Sequence, residues 1–187
     1  SPAGLPKMVL VGLPEAAVKE SMHRVERAIV NSGFQRPQNR VVINLAPADI
    51  RKEGPGFDLP VALATLAACG HLPIECLRGV GAVGEISLDG LIRPTRGMLS
   101  VAESAESVAV GLLITPMEGL PVATEVTTMP VAGVRSLAEA VLVAKDIRWR
   151  ARVVERGRRW LHTRGRVSHA GARESLDRGL KVAFRSG

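Results

Sequence analysis

The sequence predicts an α/β protein in which a mixed β-sheet is packed by helices. Apolar runs of strand length alternate with segments of helical periodicity along residues 7–144, which is the pattern of strand–helix–strand units. An Asp-Gly turn at 89–90 joins two further strand-like runs, and such a turn is typical of an antiparallel hairpin. The sheet is therefore expected to be mixed rather than wholly parallel.

The first predicted unit is a strand, a helix and a second strand. Residues 7–11 form a short apolar run, and a Gly-Leu-Pro turn at 12–14 puts a proline at the first helical position. Gly33 is expected to end the helix, and residues 41–45 to form the next strand. Apolar residues recur within the helix at spacings of four and three, which predicts one buried stripe: Val18, Met22, Val25 and Ile29.

A charged loop with Gly-Pro-Gly at 54–56 connects that strand to an apolar helix starting near Phe57. Between Asp49 and Leu59 the loop holds no Ser, Thr, Cys or His, so it lacks an attacking atom for covalent catalysis. Two interpretations stay open. The loop is either a structural turn or a contact for an anion or a partner through Arg51, Lys52 and the free amides at the helix start.

The second half continues the alternation. Residues 57–70 are apolar on nearly every side, which predicts a buried helix, and Ser136 with Glu139 has the spacing of a capping box. The remaining predicted elements are strands at 78–86, 91–94, 112–115 and 125–129 and helices at 97–109 and 136–144.

Three glycines, Gly79, Gly81 and Gly84, match the Gly-x-Gly-x-x-Gly dinucleotide fingerprint. That fingerprint requires a helix directly after the glycines, whereas here a strand and a hairpin are predicted. We therefore expect these glycines to allow close packing. The sequence contains no P-loop, and no spacing of His, Cys or carboxylates indicates a metal site.

Composition and charge divide the chain. Of its 187 residues 46% are hydrophobic and only 3% aromatic, which predicts an aliphatic core. Residues 145–187 hold 13 Lys and Arg against 4 Asp and Glu, or +9, which leaves −2 of the total +7 for residues 1–144. Two cysteines, Cys69 and Cys76, favour a reducing cytoplasmic compartment. The start at Ser1 rather than Met suggests a fragment.

Three motifs resemble the N-terminal domain of the ComM/YifB magnesium-chelatase-like AAA+ family. They are GLPEAAVKES at 12–21, NLAPAD with RKEGPGFDLP between 44 and 60, and GEISLDG at 84–90. The resemblance implies a Lon-protease-like fold for a domain at 1–144 that is shortened at its N-terminus. It also implies an AAA+ ATPase module elsewhere that uses ATP and magnesium, and ATP-driven DNA branch migration in natural transformation by the full-length protein.

The same resemblance bears on catalysis. Lon enzymes use a Ser-Lys pair, and this chain has Gly56 and Leu99 at those two positions. The resemblance thus implies a non-catalytic regulatory or oligomerisation domain, with its own AAA+ module, a homo-oligomeric ring and DNA as candidate partners and no membrane contact. The expected contact residues are Arg51, Lys52, Arg93 and Arg96. The alternative is a diverged Lon-like serine hydrolase with a relocated nucleophile.

The Arg-rich tail at 145–187 admits three interpretations. It is unstructured or unrelated sequence, or it forms a basic helix over 147–161 that rests on the body, or it is a nucleic-acid arm. In the last case Trp149 and Trp160 would stack on bases while arginines neutralise phosphates.

Overall fold

The computed structural model describes residues 8–11, 15–45, 55–108 and 110–164, with the side chains of 15–19 and 164 left out. Short 3-10 turns lie at Pro55–Phe57, Ile74–Leu77 and Met117–Gly119. The strands are β1 (Met8–Val11), β2 (Val41–Asn44), β3 (Val80–Ala82), β4 (Glu85–Ile86), β5 (Ile92–Arg93), β6 (Leu112–Pro116) and β7 (Val131–Val134). The helices are α1 (Glu15–Asn31), α2 (Asp58–Ala68), α3 (Met98–Ser107), α4 (Leu120–Val126), α5 (Leu137–Lys145) and α6 (Ile147–Arg164).

The predicted strand–helix–strand unit at the start of the chain is confirmed. β1 and β2 are parallel, with Met8 opposite Val41 and Val11 opposite Asn44, and α1 connects them. Gly33 ends the helix at a φ of 84°, where its N–H donates to Val30 O and the following N–H to Ile29 O. A left-handed residue there is the usual helix stop, and glycine adopts it without a steric penalty.

A second, three-stranded sheet lies at the centre of the fold. Its order is β3-β6-β7 with all strands parallel. Every residue of β6 and β7 is buried, because helices cover the sheet on both faces and leave no polar face to solvent. The predicted strand at 112–115 is therefore confirmed, with Pro116 added.

The hairpin forms a separate two-stranded antiparallel sheet. β4 pairs with β5, Glu85 opposite Arg93, and the turn closes at Gly90, which has a φ of 83°. The single strand predicted at 78–86 is wrong, because the ladder breaks at 83–84. There Val83 N–H donates to Ile114 O and Gly84 N–H to Gly56 O. The described strands therefore form three small sheets, parallel and antiparallel.

The strand predicted at 125–129 is also wrong. Residues Leu120–Val126 are helical, with Pro121 in the first helical turn, and the strand starts five residues later at Val131. The β-branched run at 126–128 suggested a strand, but the hydroxyls of Thr124 and Thr127 donate back to carbonyls one turn earlier. Local propensity was overridden by the helix that begins at the proline.

The glycine fingerprint is followed by β4 rather than a helix, and its glycines sit in close contacts, as expected. A Cβ on Gly81 would lie 3.3 Å from Leu113 Cδ1, and one on Gly84 would lie 2.8 Å from Ile92 Cγ2. Neighbouring side chains lie close to these two glycines, so the absence of a Cβ allows the elements to pack closely there.

Two apolar clusters hold the layers together. The larger lies between α1, α2, α5 and the sheets, and includes the fully buried Ile29, Leu59 and Leu66. The smaller lies between α3, α4, β6 and β7, and Trp160 and Leu161 of α6 pack against it. The predicted burial of α2 is confirmed, since seven of its eleven residues are buried.

The tail is helical over its described part. α6 covers 147–164, so the unstructured interpretation does not hold there, and residues 165–187 lie outside the described part of the chain. Val153 is 2% exposed and joins the larger cluster, so the helix rests on the body. This is the basic-helix alternative.

Candidate functional site

The candidate site is the start of α2, where the Gly-Pro-Gly loop ends. The turn at Pro55–Phe57 leads directly into the helix. Gly84, just before the hairpin, makes two backbone hydrogen bonds with the start of α2. Its N–H donates to Gly56 O at 3.1 Å, and its carbonyl accepts from Leu59 N–H at 3.1 Å. The backbone here is therefore fixed by its own hydrogen bonds.

The resemblance to Lon enzymes implies that Gly56 stands where they carry a nucleophilic serine, and the Thr95 side chain lies against this half-buried position. A Cβ built on Gly56 would lie 3.0 Å from Thr95 Cγ2. A serine could enter only if Thr95 moved, because real Cβ contacts are seldom so short. The site thus holds a packed methyl group where the nucleophile would stand.

The second catalytic position is equally unsuited to proton transfer. Leu99 lies half-buried in the first turn of α3, and residues 95–101 contain no Lys or His. Ser100 and Ser104 lie nearby, but the Ser104 hydroxyl donates to Ser100 O at 2.7 Å, an ordinary contact within a helix. The arrangement offers no paired nucleophile and base.

Asp58 at the start of α2 is the most buried charged group of this region, with 0% of its surface exposed. Its carboxylate accepts from Ser21 Oγ at 2.6 Å, from Arg24 Nε at 2.8 Å and from Ile86 N–H at 3.4 Å. The hydrogen bond to Asp58 is also the main cause that raises the pKa of the Arg24 guanidinium. With its lone pairs occupied, this carboxylate fastens α1, α2 and β4 together.

Sequence reasoning did not identify this cluster around Asp58. Ser21 and Arg24 are three residues apart on α1, and such a pair lies on one helix face. Because Ser21 and Arg24 lie next to the buried Val25, their spacing could have predicted that α1 makes a buried polar contact.

The predicted contact residues are only partly described. Arg93 is exposed in β5 opposite Glu85, and Arg96 is exposed in the turn before α3. They flank Pro94 and Thr95 in the sequence, and Thr95 lies against Gly56. Arg51 and Lys52 lie outside the described residues.

Other features of the described residues lie away from this site. A cavity of about 300 Å³ lies beside the α1–β2 connection, with Arg36, Arg40 and His71 in its lining, and neither Gly56 nor Asp58 contributes to it. Across the described ranges, His, Cys, Asp and Glu nowhere gather in a group of three that could hold a metal ion. Cys69 and Cys76 are free thiols.

No helix of the described residues combines the length and the apolar character needed to cross a bilayer.

Comparison with known sequences was made once this geometry was established. Residues 1–119 match the family described as "Subunit ChlI of Mg-chelatase". The chain is similar to the uncharacterized protein YifB of Escherichia coli, 48% identical over 102 residues, which are 54% of this chain and 20% of that protein. It is also similar to the competence protein ComM of Haemophilus influenzae, 41% identical over 111 residues, which are 59% of this chain and 22% of that protein.

A more distant similarity bears on the fold. The chain is 27% identical over 123 residues to a Lon protease of Bacillus thuringiensis, which is 62% of this chain and 15% of that protein. With the mixed helices and small sheets described above, this similarity confirms the Lon-like α/β fold. The chain spans about a fifth of the length of the first two relatives.

Proposed function

Because the chain belongs to the Mg-chelatase ChlI family, and within it to the N-terminal region of the ComM and YifB proteins, we propose that it is their non-catalytic regulatory or assembly module. In this proposal ATP turnover, with its magnesium, belongs to an AAA+ module of the complete protein outside this chain. The Lon-like domain helps to form or orient a ring of subunits, and the complete protein remodels DNA.

One observation supports a non-catalytic role above the others. The methyl group of Thr95 lies against Gly56, so the Lon-like fold is kept while the residue at this position carries no nucleophile. The carboxylate closest to Gly56 in the sequence is that of Asp58, and it accepts hydrogen bonds from Arg24 and Ser21. It cannot serve as a base without breaking the contact between α1 and α2.

The basic residues around this site support a contact role. Arg93 and Arg96 are exposed and lie within two residues of Thr95, which contacts Gly56, and Arg51 with Lys52 precedes α2 in the sequence. Exposed cations next to a fixed backbone suit a negatively charged partner, which here is the neighbouring AAA+ module, a neighbouring subunit or DNA.

The first experiment tests whether the isolated chain has catalytic activity. The isolated chain is incubated with a fluorogenic peptide, with ATP and with a serine-reactive fluorophosphonate probe. We expect neither hydrolysis nor labelling above a heat-denatured control. Reproducible turnover of either substrate contradicts the proposal.

The second experiment asks whether the module acts on the rest of the protein. In the complete protein, Arg93→Glu/Arg96→Glu is compared with Arg27→Glu/Arg78→Glu, which reverses the same charge at two exposed positions elsewhere. We expect only the first pair to alter subunit assembly by light scattering, DNA binding or ATPase rate. If both pairs leave all three unchanged, the contact role is abandoned.

The alternative is a diverged Lon-like serine hydrolase with a relocated nucleophile, in which the hydroxyl of Thr95 takes the place of the serine hydroxyl. One observation favours it, since Thr95 Oγ1 lies 3.5 Å from the Cβ position of a nucleophile at residue 56. Probe labelling that disappears in Thr95→Val would identify Thr95 as a relocated nucleophile and favour this alternative.

A further inference from the structure

The arginines of α6 fall into two sets with different environments. On the inner face, Arg150 donates to Val143 O and Ala144 O, and Arg156 donates to Gly133 O and pairs with Glu139. These two side chains fasten the helix to α5 and β7. Gly157 allows the close approach, because a Cβ there would lie 2.8 Å from Leu120 Cδ2.

The outer face of α6 carries four exposed arginines, one exposed tryptophan and one exposed glutamate: Arg148, Arg152, Arg158, Arg159, Trp149 and Glu155. Positions 148, 152 and 159 are four and seven residues apart, so three of the arginines line one side of the helix. With a rise of 1.5 Å per residue, they extend over about 16 Å. Glu155 is the one acidic residue in the helix.

Trp149 gives this basic face a second chemical property. The residue is 38% exposed, and the Arg152 guanidinium lies 6.0 Å from the centroid of its ring. An exposed indole next to cations offers a flat surface on which an unpaired base can stack while the arginines neutralise the adjoining phosphates. Bases of a duplex are already stacked on one another, so this pairing of groups suits a single strand.

Trp160 does not share this property. It is half-buried and packs against the smaller apolar cluster together with Leu161. The sequence interpretation in which both tryptophans stack on bases is therefore corrected for Trp160, because its ring already contributes to the core.

The competing partner for a basic amphipathic helix is an anionic membrane. Such a helix binds by burying its own apolar face among the lipid chains. Here that face is occupied, since Val153, Trp160 and Leu161 pack on the body. Insertion would require α6 to leave the domain.

We infer that the outer face of α6 is a binding surface for single-stranded nucleic acid, with Arg148, Arg152 and Arg159 on phosphates and Trp149 stacked on a base. This inference goes beyond the proposed function, since the outer face of α6 lies on a different element from Arg93 and Arg96. It can be tested on the chain alone, so its failure is separate from a failure of ring assembly or ATPase control.

The charge contribution is tested with the full chain and fluorescein-labelled oligo(dT) of twenty nucleotides, by anisotropy between 50 and 200 mM NaCl. We expect Arg148→Ala/Arg152→Ala/Arg159→Ala to weaken binding by more than about tenfold at 50 mM. The slope of log K against log salt should fall by about 2, at about 0.7 per phosphate contact.

The matched control is Arg27→Ala/Arg78→Ala/Arg135→Ala, which removes the same charge from exposed positions on the body. Circular dichroism checks that both variants fold. If the α6 variant binds within twofold of the unmodified chain, or if the control loses as much affinity, the inference is overturned.

The stacking contribution is tested separately. We expect Trp149→Leu to weaken oligo(dT) binding by about fivefold or more while leaving a twenty-base-pair duplex unaffected. The control Ile147→Ala changes an exposed apolar neighbour and should leave both affinities unchanged. Equal losses for strand and duplex, or tighter binding to phosphatidylserine vesicles than to oligo(dT), overturn the assignment to a single strand.

Discussion

Two arginine–carboxylate pairs tie helices to this domain, and they differ in how completely their charges are enclosed. At the start of α2, Asp58 is fully buried and accepts hydrogen bonds from Ser21, Arg24 and Ile86. Between α5 and α6, Glu139 and Arg156 keep 15% and 35% of their side chains exposed. We call these the Asp58 pair and the Glu139 pair.

The pairs also differ in how well their polar atoms are satisfied. Glu139 accepts from Arg135 N–H as well as from Arg156, but the Nε of Arg156 is buried and lacks a hydrogen-bond partner among the described residues. An enclosed, satisfied pair makes a junction rigid, because losing one member strands the other charge in the interior. A half-exposed pair lets water replace the lost partner, so the Glu139 pair is expected to hold α6 less firmly.

The largest expected effect is at the Asp58 pair. Arg24→Met leaves the buried carboxylate with only Ser21 and a long contact to Ile86 N–H, so we expect it to lower the free energy of unfolding by about 3 kcal/mol. Urea denaturation of the full chain measures this. Arg27→Met, an exposed change on the same helix, should stay within about 0.5 kcal/mol, and equal losses for both would show that Asp58 needs no partner.

The Glu139 pair should show a smaller loss. Glu139→Gln keeps the shape and the contact to Arg135 N–H but removes the charge opposite Arg156, so we expect a loss of about 1 kcal/mol. Faster amide exchange confined to α6 would locate the effect. Glu155→Gln, in the exposed pair with Arg158, is the control, and it should leave exchange unchanged.

Packing beside the Asp58 pair gives a third test. Gly56→Ala places a methyl group 3.0 Å from Thr95 Cγ2, so we expect a loss of about 1 kcal/mol from overpacking. Thr95→Ser removes the opposing methyl and should recover part of that loss in the double variant. Strictly additive losses would mean that the two residues do not compete for the same space.

The smallest effect is expected at a fully exposed carboxylate in the hairpin. The Ser87 hydroxyl and the Leu91 N–H donate to Asp89 and lower its pKa below the ordinary value. A lowered folded-state pKa gives the hairpin stability that is present above the ordinary Asp pKa and is lost as pH falls through the folded value. Titration of the Asp89 carboxyl by NMR should show Ser87→Ala raising its pKa, and an unchanged pKa would contradict this cause.

Much of the fold follows from short-range patterns in the sequence. The stripe of α1, the stop at Gly33, the Asp-Gly turn and the Ser136 cap each depend on residues within one or two turns of each other. Ser136 Oγ accepts from Glu139 N–H at 3.2 Å, as the spacing predicted. The two wrong strands, at 78–86 and 125–129, are places where that local signal was overridden: Gly84 N–H donates to the distant Gly56 O, and the helix that begins at Leu120 continues to Val126.

The candidate site was predicted in part. The absence of a nucleophile at Gly56 and of a base at Leu99 follows from residue identity alone, and the position of the loop before α2 follows from the strand and helix patterns. The contact of Thr95 with Gly56 could not be predicted. It depends on how the turn before α3 packs on the start of α2, which no periodicity encodes.

By itself the sequence determined most of the elements, the aliphatic core and the residue types at positions 56 and 99, because these depend on residue type and on spacings of a few residues. Only the tertiary structure decided which charges became structural. Asp58 meets Ser21 and Arg24 across 37 and 34 residues of chain, and Arg156 meets Glu139 across 17. Such pairings form only when helices pack and exclude water, so the partner of each charged group depends on which residues are close in space rather than in sequence.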